Sequence, residues 1–221
     1  MYCAGLDPWL LEKQAEALNW RALVRLKLRR DGLLDAEGLE RFILARLGDH
    51  HFEEMRTPFV ATATDLLSGR EVLLQSGRVA PAVRASCAFP GIFLPVRHGK
   101  HTLVDGGLVH PVPTQVVRRM GADVVIGVEL NRPRHAQKPP RNLLHIMLYS
   151  LAVVQRPLIE QVLNHADVVI QPDLTDFSVI ELERVADMIY IGREAARAAI
   201  PEIEAAIERA VAAKASRPAE V

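Results

Sequence analysis

The sequence predicts an α/β protein in which a layered sheet is flanked by helices. Two short runs rich in Val and Ile, DVVIGVEL at 123–130 and DVVI at 167–170, have the composition of parallel strands buried on both faces. Stretches of helical character separate or follow these runs, at 112–120, 142–164 and 179–213. Strands that alternate with helices are typical of an α/β layer.

The N-terminal region is predicted to be helical. Apolar residues recur at helical intervals over 8–30, which predicts one long helix. Arginines repeat every four residues on another face of that helix, and this face either meets water or docks on an anionic membrane. A second helix is expected between Asp35, a candidate N-cap, and Gly48, a candidate C-terminal stop.

Two hairpins are predicted to follow, because in each a turn signal lies between two short stretches typical of strands. The first joins 59–64 to 71–75, and the second joins 93–96 to 101–104. Further along, a basic and proline-rich loop at 131–142 follows the first Val-rich run. This loop is either a lid or headgroup contact, or a solvated connection.

Composition bounds the class of protein. The chain has 221 residues, of which 49% are hydrophobic, and its 27 Lys and Arg balance 27 Asp and Glu. Zero net charge argues against a nucleic-acid-binding domain. Cys3 and Cys87 suggest no disulfide framework, the N-terminus shows no signal peptide, and the longest apolar run, 146–154, is too short to cross a bilayer. We therefore expect a cytoplasmic protein.

Common catalytic patterns are absent from the sequence. No serine has a glycine two positions before it, so there is no Gly-x-Ser-x-Gly nucleophile elbow. His98, His101, Asp105 and His110 could together bind zinc, although the first two border a hairpin turn where polar residues are common. Cys87 lies among small and apolar residues, which favours a buried structural thiol over a nucleophile.

Asp105 has the most informative surroundings of the candidate residues. It ends a predicted strand and is followed by Gly106 and Gly107, which let the backbone turn sharply and let another segment approach closely. A carboxylate in this position is either presented to a site at the strand ends or caps its own turn.

Ordered motifs across the chain resemble the patatin-like phospholipase family, especially its short bacterial members. Between 84 and 113 the chain contains Arg-Ala-Ser, Pro-Gly-Ile-Phe-Leu-Pro, Asp-Gly-Gly and Pro-Val-Pro, in the family's order. Ala-Thr-Asp at 63–65 resembles an upstream family segment, and the sequences at 120–125 and 166–172 resemble its downstream strands. The resemblance therefore covers nearly the whole chain.

The resemblance implies a serine–aspartate dyad that hydrolyses the acyl esters of lipids. Asp105 matches the general base of the family's Asp-Gly-Gly motif, which Gly106 and Gly107 complete. The implied substrates are phospholipids, lysophospholipids or other acyl esters, reached by transient contact with a membrane surface. The resemblance implies no cofactor, no metal ion and no nucleic-acid partner.

One part of the family pattern is missing from this sequence. The glycine-rich turn and the serine elbow are absent, and residues 1–5 resemble the end of the helix that follows the nucleophile. We therefore expect an incomplete patatin-like domain over 1–212, with a tail at 213–221, that lacks the N-terminal strand–helix–strand unit. Such a sheet would leave the run at 123–130 partly uncovered.

Three functions follow from these observations. The first is a patatin-like acyl hydrolase whose nucleophile lies upstream of the given residues, so that this chain alone is inactive. The second is a catalytically inactive, lipid-binding or regulatory remnant of that family. The third is an unrelated metal-dependent enzyme that uses the four residues from His98 to His110.

Overall fold

The computed structural model describes residues 1–17, 25–29, 32–130, 139, 143–177 and 184–216. The chain divides into two compact units, Met1–His110 and Pro111–Val221, which are described in turn. Both combine strands with helices, which confirms the predicted α/β class. The single-domain extent over 1–212 remains a prediction, and the loop predicted at 131–142 lies outside the described residues apart from Pro139.

The first unit is built on a four-stranded antiparallel sheet with the strand order β4-β3-β6-β5. The strands are β3 (Ala61–Asp65), β4 (Arg70–Leu74), β5 (Val96–His98) and β6 (His101–Asp105). Both predicted hairpins are confirmed, since β3 pairs with β4 and β5 pairs with β6. The two hairpins join through β3 and β6, which places Ala63 opposite Asp105.

Helices α1 (Pro8–Glu16), α2 (Glu37–Leu47) and α3 (Val79–Ser86) belong to the same unit. Helix α2 ends where the sequence predicted, because Gly48 has a φ of 75°, a conformation that glycine adopts at little cost. Helix α3 packs against β3, β6 and α2. The resulting core consists of small and apolar side chains: Phe52, Ala61, Ala63, Leu74, Val79, Ala82, Ala85 and Leu103.

The single helix predicted over 8–30 is wrong beyond α1. Residues 18–24 lie outside the described part, and Arg25–Arg29 forms strand β1, which pairs antiparallel with β2 (Gly32–Asp35). The sequence RLKLR alternates charged and apolar residues, and this period of two is the signature of a strand. Apolar residues at helical spacing over 8–30 favoured a helix, although this shorter segment within that range has the alternation of a strand.

The second unit contains the predicted parallel pair, formed by β7 (Ile126–Val128) and β8 (Val168–Ile170). Its helices are α4 (Thr114–Arg119), α5 (Leu143–Leu163), α6 (Val185–Ala198) and α7 (Ile200–Ala215). The helical stretch predicted over 179–213 is divided at Ala199, where α7 begins with proline in its first turn. Proline lacks the N–H that a continuous helix would use, so it favours a helix start.

Asp167 joins three elements of this unit. Its Oδ2 accepts hydrogen bonds from the backbone N–H of Val125, at 2.7 Å, and from Nη2 of Arg118, at 2.5 Å. These donors stabilise the carboxylate, the Val125 N–H most strongly, and lower the pKa of Asp167. On β7 itself, Ile126 and Val128 are exposed, so the expectation that this strand is buried on both faces is wrong for the described residues.

Helix α5 overturns the expectation that no apolar run is long enough to cross a bilayer. Its stretch Ile146–Leu163 meets that requirement by length and composition, and most of the stretch is exposed. Gln155 and Arg156 interrupt the apolar run after Val154, yet apolar residues resume within the same helix. One such helix, taken alone, is weak support for a membrane span.

Asp65 closes the β3–β4 hairpin through several donors. Its Oδ2 accepts from Oγ of Ser68 at 2.7 Å and lies 3.4 Å from Nδ1 of His101, and its Oδ1 accepts from the backbone N–H of Thr102 at 3.1 Å. These interactions, with Ser68 the largest contribution, lower the pKa of Asp65 to about 2. The ionised Asp65 carboxylate therefore stabilises the folded unit at pH values above the pKa that this group has in the unfolded chain.

We predict that Asp65→Asn lowers the free energy of unfolding at neutral pH and that this difference shrinks as the medium is acidified. Because the folded pKa is about 2 and the unfolded value is 3.8, the contribution is lost as pH falls from about 5 towards 2. Urea unfolding of both proteins across that range tests this. A difference that does not change with pH would contradict it.

Candidate active site

Asp105 is held by its backbone at the junction of β6 and the 3₁₀ turn Gly106–Leu108. Its N–H donates to the carbonyl oxygen of Ala88 at 3.0 Å, and its carbonyl oxygen accepts from Oγ1 of Thr64 at 2.9 Å. The residue is thus fixed from the segment after α3 on one side and from β3 on the other. The side chain leaves the sheet at a defined point.

The Asp105 carboxylate is half-buried and accepts one hydrogen bond. Its Oδ1 accepts from the N–H of Gly107 at 2.7 Å, whereas its Oδ2 has no hydrogen-bond partner among the described residues. Burial raises the pKa of Asp105, and the Gly107 hydrogen bond opposes this rise. Asp105 therefore caps its own turn and also keeps one oxygen that can accept a proton.

Close packing requires the first of the two glycines after Asp105 and crowds the second. A Cβ on Gly106 would lie 2.3 Å from the carbonyl oxygen of Thr62, which belongs to the backbone of β3 and cannot easily move. A Cβ on Gly107 would lie 3.0 Å from Oδ1 of Asp105. Both predicted motif glycines therefore position the carboxylate, the first through the sheet and the second through the hydrogen bond.

A close contact between a histidine and a carboxylate lies at the end of the same turn. Nδ1 of His110 is 2.8 Å from Oε1 of Glu71 on β4, and both side chains are largely buried. The N–H of His110 donates to the carbonyl oxygen of Gly106 at 2.9 Å. Sequence reasoning missed this pair because the two residues lie far apart in the chain and only the sheet brings them together.

The zinc site considered from the sequence is not assembled. His101 faces Asp65 and His110 faces Glu71, while His98 lies opposite His101 at the end of the β5–β6 hairpin. Within the described residues, no three His, Cys, Asp or Glu side chains converge in a way that could hold a metal ion. The metal-dependent interpretation is therefore wrong for the residues that suggested it.

The exposure of Cys87 differs from the prediction. It follows α3 and is exposed, whereas its neighbours in the sequence predicted a buried residue. Its thiol nevertheless lies against crowded protein and near Asp105, and these two effects, burial first, raise its pKa to about 11. A thiol with so high a pKa carries little thiolate, so the structure gives no support to a cysteine nucleophile.

Comparison with known proteins identifies the family. The patatin-like phospholipase family model matches residues 1–118, and the chain belongs to this family. Two uncharacterized NTE family proteins of Mycobacterium tuberculosis are similar to it. One is 35% identical over 120 residues, which is 53% of this chain and 33% of that protein, and the other is 28% identical over 186 residues, or 73% and 32%.

A rat protein named patatin-like phospholipase domain-containing protein 7 is 33% identical over 84 residues, which is 37% of this chain and 6% of the rat protein. The chain thus spans about a third of the mycobacterial relatives and a small part of the rat protein. The matched region includes Asp105 and its turn.

We predict that Gly106→Ala destabilises the protein, because the added Cβ meets the Thr62 carbonyl. The expected loss is about 1–3 kcal/mol, the range typical of overpacking in a well-packed interior. Gly192→Ala is the matched control, since that glycine lies in α6 with open space around its Cβ position. Urea unfolding of both variants would contradict the prediction if they lost equal stability.

We also predict that Asp105→Asn increases the rate at which Cys87 is alkylated. Removing the neighbouring negative charge lowers the thiol pKa and raises its thiolate fraction, although burial still limits the effect. Iodoacetamide labelling at a fixed pH, followed by peptide mass spectrometry, measures Cys87 separately from Cys3. Asp49→Asn, a surface carboxylate that pairs with Arg78, should leave the rate unchanged.

Proposed function

We propose that this chain carries the general base of a lipid acyl hydrolase that works through a serine–aspartate dyad. The observation that supports this most is the Asp105 carboxylate, which has a raised pKa and an open Oδ2 and is fixed on a Gly-Gly turn inside the region matched by the family model. An ordinary Asp has a pKa of about 3.9, which is low for a base that works near neutral pH.

In this proposal Oδ2 of Asp105 accepts the proton of a serine hydroxyl as the serine oxygen attacks the ester carbonyl. The tetrahedral intermediate collapses, the bond to the alcohol breaks, and Asp105 returns the proton to the departing alkoxide. Water then attacks the acyl-serine, gives its proton to Asp105, and the fatty acid leaves as the serine is reprotonated. Each half-reaction conserves protons and leaves the base ionised.

The serine is proposed to come from outside the given residues. The sequence contains Ser68, Ser76, Ser86, Ser150, Ser178 and Ser216, and none stands in a Gly-x-Ser-x-Gly elbow. Ser68 donates its hydroxyl to Asp65 and is therefore engaged in the hairpin turn. Ser86 ends α3, and its family counterpart in the Arg-Ala-Ser segment is not the nucleophile.

The proposed substrates are phospholipids, lysophospholipids or related acyl esters. Such molecules reside in membranes or micelles, so the protein must at least transiently contact a lipid surface. We propose that it does so from the cytoplasm. The reaction is written without a cofactor because the aspartate and a serine suffice to move every proton in it.

A second candidate is a lipid-binding protein without catalysis. It is favoured by the absence of a Gly-x-Ser-x-Gly elbow from the sequence. The two candidates share the lipid ligand and differ only in whether a nucleophile reaches Asp105. Reading the codons upstream of Met1 would show whether such an elbow is encoded in frame.

The proposal is tested by ester turnover. We predict that the 221-residue chain does not hydrolyse lysophospholipid. A protein extended through an in-frame upstream elbow should do so, and Asp105→Asn in that protein should lower kcat/KM by about 100- to 10,000-fold. Asp49→Asn serves as the control. Turnover by the short chain that is lost in both Asp105→Asn and Ser86→Ala would contradict the proposal.

The pH dependence of ester turnover in the same assay gives a further test. Because burial raises the pKa of Asp105, activity should fall with acidification at a higher pH than an ordinary aspartate would give. An extended protein that binds lipid but shows no turnover would instead support the inactive alternative.

A further inference from the structure

Helix α5 has an apolar face that is left uncovered by the described residues of its own unit. This surface, the α5 apolar face, consists of Leu143, Ile146, Met147, Val153 and Val154, all of which are exposed. At 100° per residue these side chains fall within a sector of roughly 120°, which also contains Ser150, so they form one largely apolar stripe. Arg156 and Glu160, the charged residues of the helix, lie outside that sector.

Among the described residues of the helix, those that are fully buried lie near its C-terminal end. Ile159 and Val162 are buried, and the carbonyl oxygen of Val162 accepts a hydrogen bond from Oγ1 of Thr114 at 2.6 Å. By contrast, Val153 and Val154 are 72% and 73% exposed. The α5 apolar face therefore belongs to the part of the helix that projects beyond the packed end.

The charge of the surrounding sequence indicates which partner fits this face. Between Glu129 and Glu160 the sequence contains no acidic residue, and the stretch before the helix contributes Arg132, Arg134, Lys138 and Arg141. An apolar stripe next to a basic, acid-free sequence is complementary to a surface with a hydrocarbon interior and anionic headgroups. A partner protein would have to supply an apolar groove and an acidic rim together.

The length of the exposed part limits how deeply it inserts. Residues 143–158 span about 24 Å as a helix, which is less than the roughly 30 Å hydrocarbon core of a bilayer. The C-terminal end, where Ile159 and Val162 are buried, stays with the folded unit. The geometry fits a helix that lies in the interface and does not fit one that crosses the bilayer.

We propose that the α5 apolar face is the surface by which this protein docks on an anionic lipid bilayer. The inference rests on the proposed function, since it assigns to one element the lipid contact which that function requires. It adds that helix α5 makes the contact, that the helix lies in the bilayer interface, and that anionic lipid is preferred. Asp105 determines none of these.

The test measures binding to vesicles of diether phospholipids, which contain no acyl ester and cannot be hydrolysed. The full chain should sediment with vesicles that contain phosphatidylglycerol diether and bind weakly to purely zwitterionic ones. Val153→Asp and Val154→Asp, made separately, should each weaken binding about tenfold, because an ionised side chain replaces buried apolar surface. Val211→Asp on α7 is the matched control, since Val211 is 63% exposed and lies outside the face.

The outcomes separate this inference from the proposed function. Asp105→Asn should bind vesicles as the unchanged chain does, whatever the result of the hydrolysis assay. Equal binding by Val154→Asp and the unchanged chain, or an equal loss in Val211→Asp, overturns the inference. So does a soluble oligomer that Val154→Asp dissociates, which would make the face a contact between copies. Circular dichroism confirms that the variants compared are folded.

Discussion

The approach of the β6 strand end to the backbone of β3 is the constraint on which the candidate site depends. Gly106 lies so near the Thr62 carbonyl that no side-chain atom fits between them, and Thr64 donates to the carbonyl of Asp105 from the same strand. This contact joins the two hairpins into one sheet. It also fixes where the turn after β6 begins, and with it the position of the carboxylate.

Two aspartates on neighbouring strands show how local surroundings set opposite chemistry. Asp65 is surrounded by donors from Ser68, Thr102 and His101, and its pKa is lowered. Asp105 receives one backbone donor, and burial dominates to raise its pKa. The first is suited to holding a hairpin closed and the second to exchanging a proton. Residue type alone does not distinguish them, because the difference lies in the donors around each side chain and in the effect of burial.

Predictions from the sequence were correct where one short-range signal was present and no second periodicity overlapped it. The hairpins, the parallel pair β7–β8 and the helix end at Gly48 each follow from a strong short-range signal, and all are confirmed. The helix over 8–30 was wrong because a period-two segment lay within a longer helical pattern.

The site was only partly predictable for a related reason. Asp105 and its glycines stand next to one another in the chain, so a short motif reveals them. The partners of His101 and His110 are distant in sequence, and strand pairing sends these histidines to Asp65 and Glu71 and away from a common metal. Cys87 is exposed, although its small and apolar neighbours in the sequence indicated a buried residue. These histidine contacts depend on which residues are brought together by strand pairing, and a short sequence motif does not show this.

Pro157 lies inside α5, between the projecting part of the helix and its buried C-terminal end. Because proline has no N–H, the carbonyl of Val153 loses its usual partner one turn later. The helix is therefore mechanically weakest where its surroundings change from solvent to protein. A force or contact acting on the projecting part would bend the helix at this point and leave the packing of Ile159 and Val162 undisturbed.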